Sequence, residues 1–191
     1  MTPITISDSL LSIFSSQHYL RRNMSRELRY GLIGGFITMI WMAAGYSFGW
    51  NENDVGKYAP FLSLIILAVT IYLTILFKRE RDHGGTITFK DAFIAGLSVS
   101  FIIGLMVGIF LMMYTKYVNP NYVNEIIKQT QDYYKTQHAS QEQTDKAIEG
   151  VKAMYSPFGQ ITYGIGTTML TGILITLICA AIMRKSVGSK Q

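Results

Sequence analysis

The sequence predicts an all-α fold: an integral membrane four-helix bundle with an extramembrane amphipathic helical hairpin between its third and fourth spans. Four hydrophobic stretches without charged residues, at about residues 30–50, 61–77, 92–115 and 158–183, predict the spans, because roughly 20 apolar residues cross a bilayer core as a helix. Residues 121–156 are polar but carry apolar side chains every three or four positions, which predicts the two helices of the hairpin.

Length and composition favour a single membrane domain. Of the 191 residues, 49% are hydrophobic and only 15% are charged, so four spans leave no residues for a separate soluble core. We expect a four-span membrane domain at residues 26–183, an N-terminal cytoplasmic segment at residues 1–25 and a cytoplasmic tail at residues 184–191. The N-terminal segment is interpreted as a disordered tail or as an amphipathic helix that lies on the membrane surface, or, alternatively, as the result of an upstream start codon, with Met24 as the start.

The first two spans are defined by glycines and by a basic cluster. Gly31 and Gly35 lie four residues apart in the first span, a spacing that lets a second helix approach closely. We interpret this pair as a contact with another helix of the same chain, with a dimerisation motif as the alternative. Pro60 begins the second span, and the basic residues at 78–81 end it.

Capping residues predict where the later helices begin. Thr88 can cap the third span, and Asp91 three residues later completes a capping box. We predict that Asn119 ends this span and caps the next helix, with Pro120 at its first position. Ser156 followed by Pro157 predicts the start of the fourth span in the same way.

Small residues recur at every fourth position in the third and fourth spans. The third-span ridge is Gly96, Ser100, Gly104 and Gly108, and the fourth-span ridge is Gly164, Thr168, Gly172, Thr176 and Ala180. Because small residues let helix backbones approach each other in membranes, we predict that these ridges, like Gly31 and Gly35, are helix-packing surfaces and that the third and fourth spans contact each other.

The polar segment between the last two spans predicts an outer helical cap at residues 121–156. Ser140 followed by Gln143 forms a second capping box, so the segment divides into two helices joined near His138 and Ala139. Its charges nearly cancel, which makes it a neutral cap. The apolar residues expected to face the bundle or the bilayer are Ile126, Ile127, Ile148 and Val151.

Basic residues predict the orientation of the chain. Of the 17 Lys and Arg, 11 lie in the N-terminal segment, the loop between the second and third spans, and the tail. The positive-inside rule therefore places both termini in the cytoplasm and the hairpin outside. The predicted outer aromatic belt is Trp50, Tyr58, Tyr114, Tyr117, Tyr155 and Phe158. A net charge of +5 that is concentrated at span ends does not suggest nucleic-acid binding.

Residues able to carry chemistry are few. No Asp, Glu, Lys, Arg or His lies within the four stretches, and ionisable residues inside a membrane usually mark proton and ion pathways. We find no catalytic constellation and no metal-ligand spacing, so we expect neither an enzyme nor a cofactor. Thr167 and Thr171 of the fourth span are candidates for a polar seam, with bonding back to their own helix as the alternative.

Three short motifs, taken in order, are distinctive. They are R-Y-G-L-I-G-G-F at residues 29–36, G-x-I-T-F-K-D-A-F-x-A-G at residues 85–96, and V-N-P at residues 118–120. This order resembles the family known as domain of unknown function 4199, small four-span proteins of bacterial membranes. The resemblance covers about residues 26–183. It implies a multi-pass protein of the cell inner membrane, and it brings no activity, cofactor or catalytic residue.

The expected function is a non-enzymatic structural or accessory subunit that binds other membrane proteins or lipid. The alternative is a permeation or transport unit for small molecules or ions, formed by oligomerisation. Expected partners are the lipid bilayer and either another membrane protein or further copies of the chain. The threonine face of the fourth span distinguishes the two functions: a continuous water-accessible cavity favours permeation, and dry packing against the third span opposes it.

Overall fold

The computed structural model describes residues 25–48 and 58–184. These residues form six α-helices and no β-sheet. The helices are α1 (Arg26–Ser47), α2 (Ala59–Arg81), α3 (Phe89–Met113), α4 (Tyr122–Thr136), α5 (Gln141–Met154) and α6 (Pro157–Met183), and a π-helical turn, Tyr114–Val118, extends α3. The predicted N-terminal segment up to residue 24, Trp50 of the predicted belt, and the tail beyond residue 184 lie outside the described residues.

Four of these helices are long and apolar enough to cross a membrane: α1, α2, α3 with its π-helical turn, and α6. The prediction of an all-helical protein with four helices able to span a membrane is therefore confirmed. The helices extend beyond the uncharged stretches at several ends. For example, α2 continues through the basic cluster to Arg81, because Lys and Arg are good helix formers and favour a helix C-terminus.

Side-chain caps begin four of the helices, and at α1 the Ser25 hydroxyl accepts the Leu28 N–H (3.2 Å). The Ser140 and Gln143 pair forms a complete capping box at α5, and the Ser156 hydroxyl accepts the Gly159 N–H at the start of α6 (3.0 Å). At α3 the Thr88 hydroxyl accepts the Asp91 N–H (3.1 Å) but donates its own proton to the Asp91 carboxylate (2.7 Å). The Asp91 carboxylate thus bonds to the Thr88 hydroxyl instead of the Thr88 backbone N–H. Only one of the two hydrogen bonds of the predicted capping box is formed.

The third span ends before Asn119 as predicted, but the next helix begins two residues later than predicted. The π-helical turn continues to Val118, and α4 begins only at Tyr122, without a side-chain cap. The Asn119 side-chain oxygen accepts the N–H of Asn121 (3.1 Å). Asn119 therefore forms a local turn that includes Pro120. Its side chain accepts a hydrogen bond within this turn and does not cap α4.

α3 is the central helix of the bundle and contacts α1, α2 and α6, with α6 as its most extensive neighbour. We call the end of the bundle that carries the start of α3 the basic end, and the opposite end the hairpin end. The hydrophobic core lies toward the basic end. Its members are Leu67, Ile71, Ile75, Ile87, Ala92, Ala95, Val99, Ile103, Ala180 and Met183.

Ion pairs hold α1 to α2 at the basic end. Both Nε and a terminal nitrogen of Arg26 donate to the Asp82 carboxylate at 2.6 Å, and Lys78 pairs with Glu27. The bidentate contact with the Arg26 guanidinium lowers the pKa of the Asp82 carboxyl from its usual value. These contacts fix the distance between the two helices at one end of the bundle only.

The helical pair α4 and α5 makes most of its contacts within itself. It meets the bundle at the start of α6 and through Tyr122, whose ring contacts Tyr46 of α1 and Tyr114. Its two helices join at His138, whose positive φ of 52° closes the turn, and Ala139. Neither helix has a buried residue. Part of the surface of each of four apolar side chains remains exposed: Ile126, Ile127, Ile148 and Val151.

Candidate functional site

A cavity of about 650 Å³ lies between α1, α2, α3 and α6 in the half of the bundle nearer the hairpin end, and it is partly open to the surroundings. Its wall includes Thr38, Trp41 and Tyr46 from α1, Phe61, Ser63 and Leu67 from α2, Ile103 and Val107 from α3, and Thr167, Thr168 and Thr171 from α6. All of these side chains are uncharged.

Uneven packing of α2 accounts for the cavity. Toward the basic end, Ile71 and Ile75 are fully buried against α3 and α6. Toward the hairpin end, Phe61 is 61% exposed and Leu64 is 40% exposed, although both line the cavity. The core therefore closes the cavity toward the basic end, and the first turns of α2 leave space beside α3.

The two ridges of small residues lie on the contact between α3 and α6. A Cβ atom built on Gly104 would lie only 2.8 Å from the Gly164 carbonyl oxygen, and one built on Gly108 would lie 2.7 Å from Ile161 Cα. Such distances mean that the two backbones touch with no side chain between them. A larger side chain at Gly104 has no flexible neighbour that could move aside.

The same contact continues toward the basic end. A Cβ atom on Gly172 would lie 2.6 Å from Ser100 Cβ, and one on Gly96 would lie 2.9 Å from Thr176 Cβ. Ser100 donates to its own helix at the Gly96 carbonyl (2.9 Å). The Thr176 hydroxyl is buried without a hydrogen-bond partner among the described residues, in the space that the missing side chain of Gly96 leaves.

The glycines of α1 contact two different helices. A Cβ atom on Gly31 would lie 3.0 Å from Ile102 of α3, and Gly35 lies against the flexible side chain of Met106 on the same helix. Gly34, which the sequence analysis did not select, lies under Thr70 of α2, with a built Cβ 2.7 Å from its methyl group. The two adjacent glycines, Gly34 and Gly35, are the feature of the sequence from which this second contact could have been predicted.

The threonines of α6 are divided between two surroundings. Thr176 faces α3, whereas Thr167 and Thr171 line the cavity. The Thr167 hydroxyl donates to the Tyr163 carbonyl (2.8 Å), and the Thr171 hydroxyl donates to the Thr167 carbonyl (3.0 Å). Both hydroxyl protons are therefore used within α6, and each hydroxyl oxygen keeps lone pairs that can accept a further hydrogen bond.

An aromatic layer borders the cavity at the hairpin end, where Tyr46 is a cavity residue. We define it as Tyr46, Phe110, Tyr114, Tyr122 and Tyr155. The Tyr46 ring stacks on Tyr114 with centroids 4.2 Å apart, and Tyr122 meets both rings edge-on. Tyr122 also contacts Tyr155 at 5.8 Å, so the layer connects α1 and α3 to the helical pair.

Burial and the neighbouring phenol groups change the acidity of this layer. Desolvation, followed by the effect of Tyr46, raises the pKa of Tyr122 above its usual value. Desolvation, followed by the effect of Tyr122, likewise raises the pKa of Tyr155. Both phenols therefore stay protonated at neutral pH and present neutral polar groups beside the cavity.

Gln160 is a buried polar residue that sequence reasoning missed, because the search considered ionisable side chains only. It is 4% exposed, and its amide nitrogen donates to the Tyr155 carbonyl (2.7 Å) and to the Thr115 hydroxyl (3.0 Å). It thereby ties α6 to the π-helical turn after α3. A lone amide within the apolar stretch at residues 158–183 was the signal that could have found it.

Within residues 25–48 and 58–184 no three His, Cys, Asp or Glu side chains lie close enough together to hold a metal ion. Searches of curated proteins and of solved structures each returned no match. A family model described as "Protein of unknown function (DUF4199)" matches residues 29–185. The match includes α2 to α6, most of α1 and the whole cavity wall. The chain therefore belongs to the DUF4199 family.

Proposed function

We propose that the protein is a non-enzymatic accessory component of the bacterial inner membrane that binds a neutral, lipid-like molecule in the cavity between α1, α2, α3 and α6. The cavity itself is the observation that carries this proposal. Its volume of about 650 Å³ falls within the roughly 300–1,000 Å³ of small-molecule sites. That volume suits a single lipid chain.

The chemistry of the wall supports a neutral ligand. Trp41, Phe61 and Val107 supply apolar surface, and Thr38 and Thr171 supply hydroxyl groups. A charged ligand in this place would lose its hydration without meeting an opposite charge, which is costly in a membrane interior.

The same geometry gives little support to permeation through one chain. Ile71, Ile75 and Val99 are completely buried and fill the half of the bundle toward the basic end. The cavity therefore has no continuation along α6, where Thr176 lies against α3. A transport unit would need a path between several copies of the chain.

We further propose that both termini are cytoplasmic and that the hairpin lies outside. The support is the concentration of Lys and Arg in the terminal segments and in the loop after α2. With Cys179 replaced by Ser, we expect Gln141→Cys, but not Gly84→Cys, to react with an impermeant thiol reagent in intact cells. Labelling of Gly84→Cys alone would reverse the orientation.

Ligand binding is tested by extraction of lipid from the purified protein and its identification by mass spectrometry. We expect the native protein to carry one bound lipid per chain, different from the bulk lipid, and Thr171→Phe, which places a phenyl ring in the cavity, to lose it. The matched control is Leu174→Phe on the same helix, whose side chain points away from the core and is 65% exposed. Equal lipid content in both variants would remove the proposal.

A further inference from the structure

We infer that the cavity binds a long-chain neutral alcohol, a single hydrocarbon chain that ends in a hydroxyl group. This inference rests on the proposed function and specifies the chemical class of the ligand. Three properties of the wall carry it: its lack of charge, the direction of its hydrogen bonds and the place of its hydroxyl groups relative to its apolar surface.

The first property excludes ionised head groups. All the side chains that line the cavity are uncharged. A carboxylate, a phosphate or an amine placed there would be a charge without a partner in a medium of low dielectric constant. A neutral head group avoids this cost.

The second property favours a ligand that can both donate and accept a hydrogen bond. The hydroxyl protons of Thr38, Thr167 and Thr171 are committed to carbonyl groups of their own helices, at 2.8, 2.8 and 3.0 Å. Their oxygens then offer only lone pairs to the cavity. The hydroxyl groups of Ser63 and Thr168, in the same wall, can donate. An alcohol can bond to both kinds of group, whereas a methyl ester or a ketone can only accept and leaves the threonine oxygens without a donor.

The third property separates the head from the chain. Thr38 is only 5% exposed and, with Leu67, marks the deep part of the cavity. Phe61 and Leu64 are exposed and line the open part along α2. Thr171 is more buried than Thr167, which is exposed. The hydroxyl group of the ligand therefore lies near Thr38 and Thr171, and its chain runs past Trp41 and along α2.

The sequence provides a built-in reporter for this site. The protein has two tryptophans, and Trp41 lies in the cavity wall. In a Trp50→Phe variant, Trp41 fluorescence reports on the cavity alone. The probes are three compounds with the same dibrominated chain, which quenches tryptophan on contact: the primary alcohol, the carboxylic acid and its methyl ester. Each is titrated into the purified full-length protein in detergent at pH 8, where the acid is ionised.

We expect saturable quenching by the alcohol at a concentration about tenfold or more below that needed for the acid or the ester. Thr171→Phe should abolish the saturable component and Leu174→Phe should keep it. If Thr171→Phe does not give a folded, monodisperse protein, Thr167→Phe fills the same cavity and replaces it.

A second pair of variants tests the hydrogen bond itself. Thr171→Val keeps the shape of the side chain but removes the hydrogen-bond acceptor. Because one hydrogen bond to the ligand is lost, alcohol binding should weaken by roughly 2- to 10-fold. Ester binding should not change. Thr162→Val loses the same kind of bond to its own helix but lies outside the cavity wall, so it should bind the alcohol like the parent protein.

The outcomes separate the two proposals. Equal affinity for the three probes, preference for the acid, or an unchanged alcohol preference in Thr171→Val overturns the alcohol as ligand and leaves a lipid-binding cavity in place. Absence of saturable quenching by any probe, or equal quenching in Thr171→Phe and Leu174→Phe, overturns the lipid-binding function together with the alcohol.

Discussion

The contact of α3 with α6 and its contact with α2 are built in opposite ways. Along α6, glycines bring the two backbones together, as at Gly104 and Gly164. Along α2, large side chains such as Ile71 and Ile75 fill the space at the basic end, and the hairpin end is left open as the cavity.

The difference shows how a small bundle can combine close helix packing on one side with an internal cavity on the other. The hydrophobic effect does not drive helices together within a bilayer, because lipid tails are as apolar as the side chains. Close van der Waals contacts and hydrogen bonds hold the helices together instead. The α3–α6 contact uses this along most of its length. The α2 side is held at the basic end by Ile71, Ile75 and the Arg26–Asp82 ion pair, and its other end borders the cavity.

The largest effect is expected from a side chain inserted into the α3–α6 contact. Gly104→Leu places its Cβ against the Gly164 carbonyl and Ile165 Cα at 2.8 Å, and backbone atoms cannot rotate away. The loss should exceed the ~1–3 kcal/mol typical of overpacking, because the helices must separate along their whole contact. Thermal unfolding in detergent measures it, with Leu105→Ala as the control. Equal stability of the two variants would contradict the importance of this contact.

The second prediction compares the two halves of α2. Ile71→Ala removes a completely buried side chain and should cost about 2–4 kcal/mol, because a cavity is left in the core. Leu64→Ala, on the wall of the existing cavity, should change the free energy of unfolding by less than about 1 kcal/mol. The measurement is denaturant unfolding in mixed micelles. Similar losses at both positions would mean that the hairpin half of α2 is packed as firmly as the basic half.

Much of this arrangement follows from local chemistry and was predictable. Uncharged apolar stretches predict the spans, and the cap at Ser140 is formed by residues three positions apart. Asn119 misled the prediction because an Asn can either cap a helix or close a turn, and the choice depends on the π-helical extension of α3. The cavity depends on where α2 is not covered by α1 and α6. No pattern within α2 carries that information, because Leu64 and Ile71 are equally apolar in sequence.

The third prediction concerns the aromatic layer beside the cavity. Since the folded protein raises the pKa of Tyr122 and Tyr155 above about 10, the unfolded chain loses these protons first. Their contribution to stability is therefore complete below pH 10 and is lost as the pH rises toward the folded values. Tyrosinate absorbance should show a late-titrating fraction that shrinks in Tyr122→Phe and Tyr155→Phe. Tyr133→Phe, on the exposed side of α4, is the control; an unchanged late fraction in the first two variants would refute the burial of this layer.

The smallest effect is expected at the ion pair between α1 and α2. Contact with Arg26 lowers the pKa of Asp82 in the folded state, so the pair stabilises the protein above the unfolded value of about 3.9 and this contribution is lost as the pH falls through the folded value. Asp82 is partly exposed, and exposed pairs contribute only ~0–1 kcal/mol. Asp82→Asn should therefore lower stability slightly at pH 7 and lose its effect at acidic pH. Thermal unfolding at both pH values measures this, beside Glu149→Gln on the exposed surface of α5. A loss at pH 7 that persists unchanged at acidic pH would show that Asp82 acts through packing, and the end of α2 would then be held to α1 without help from charge.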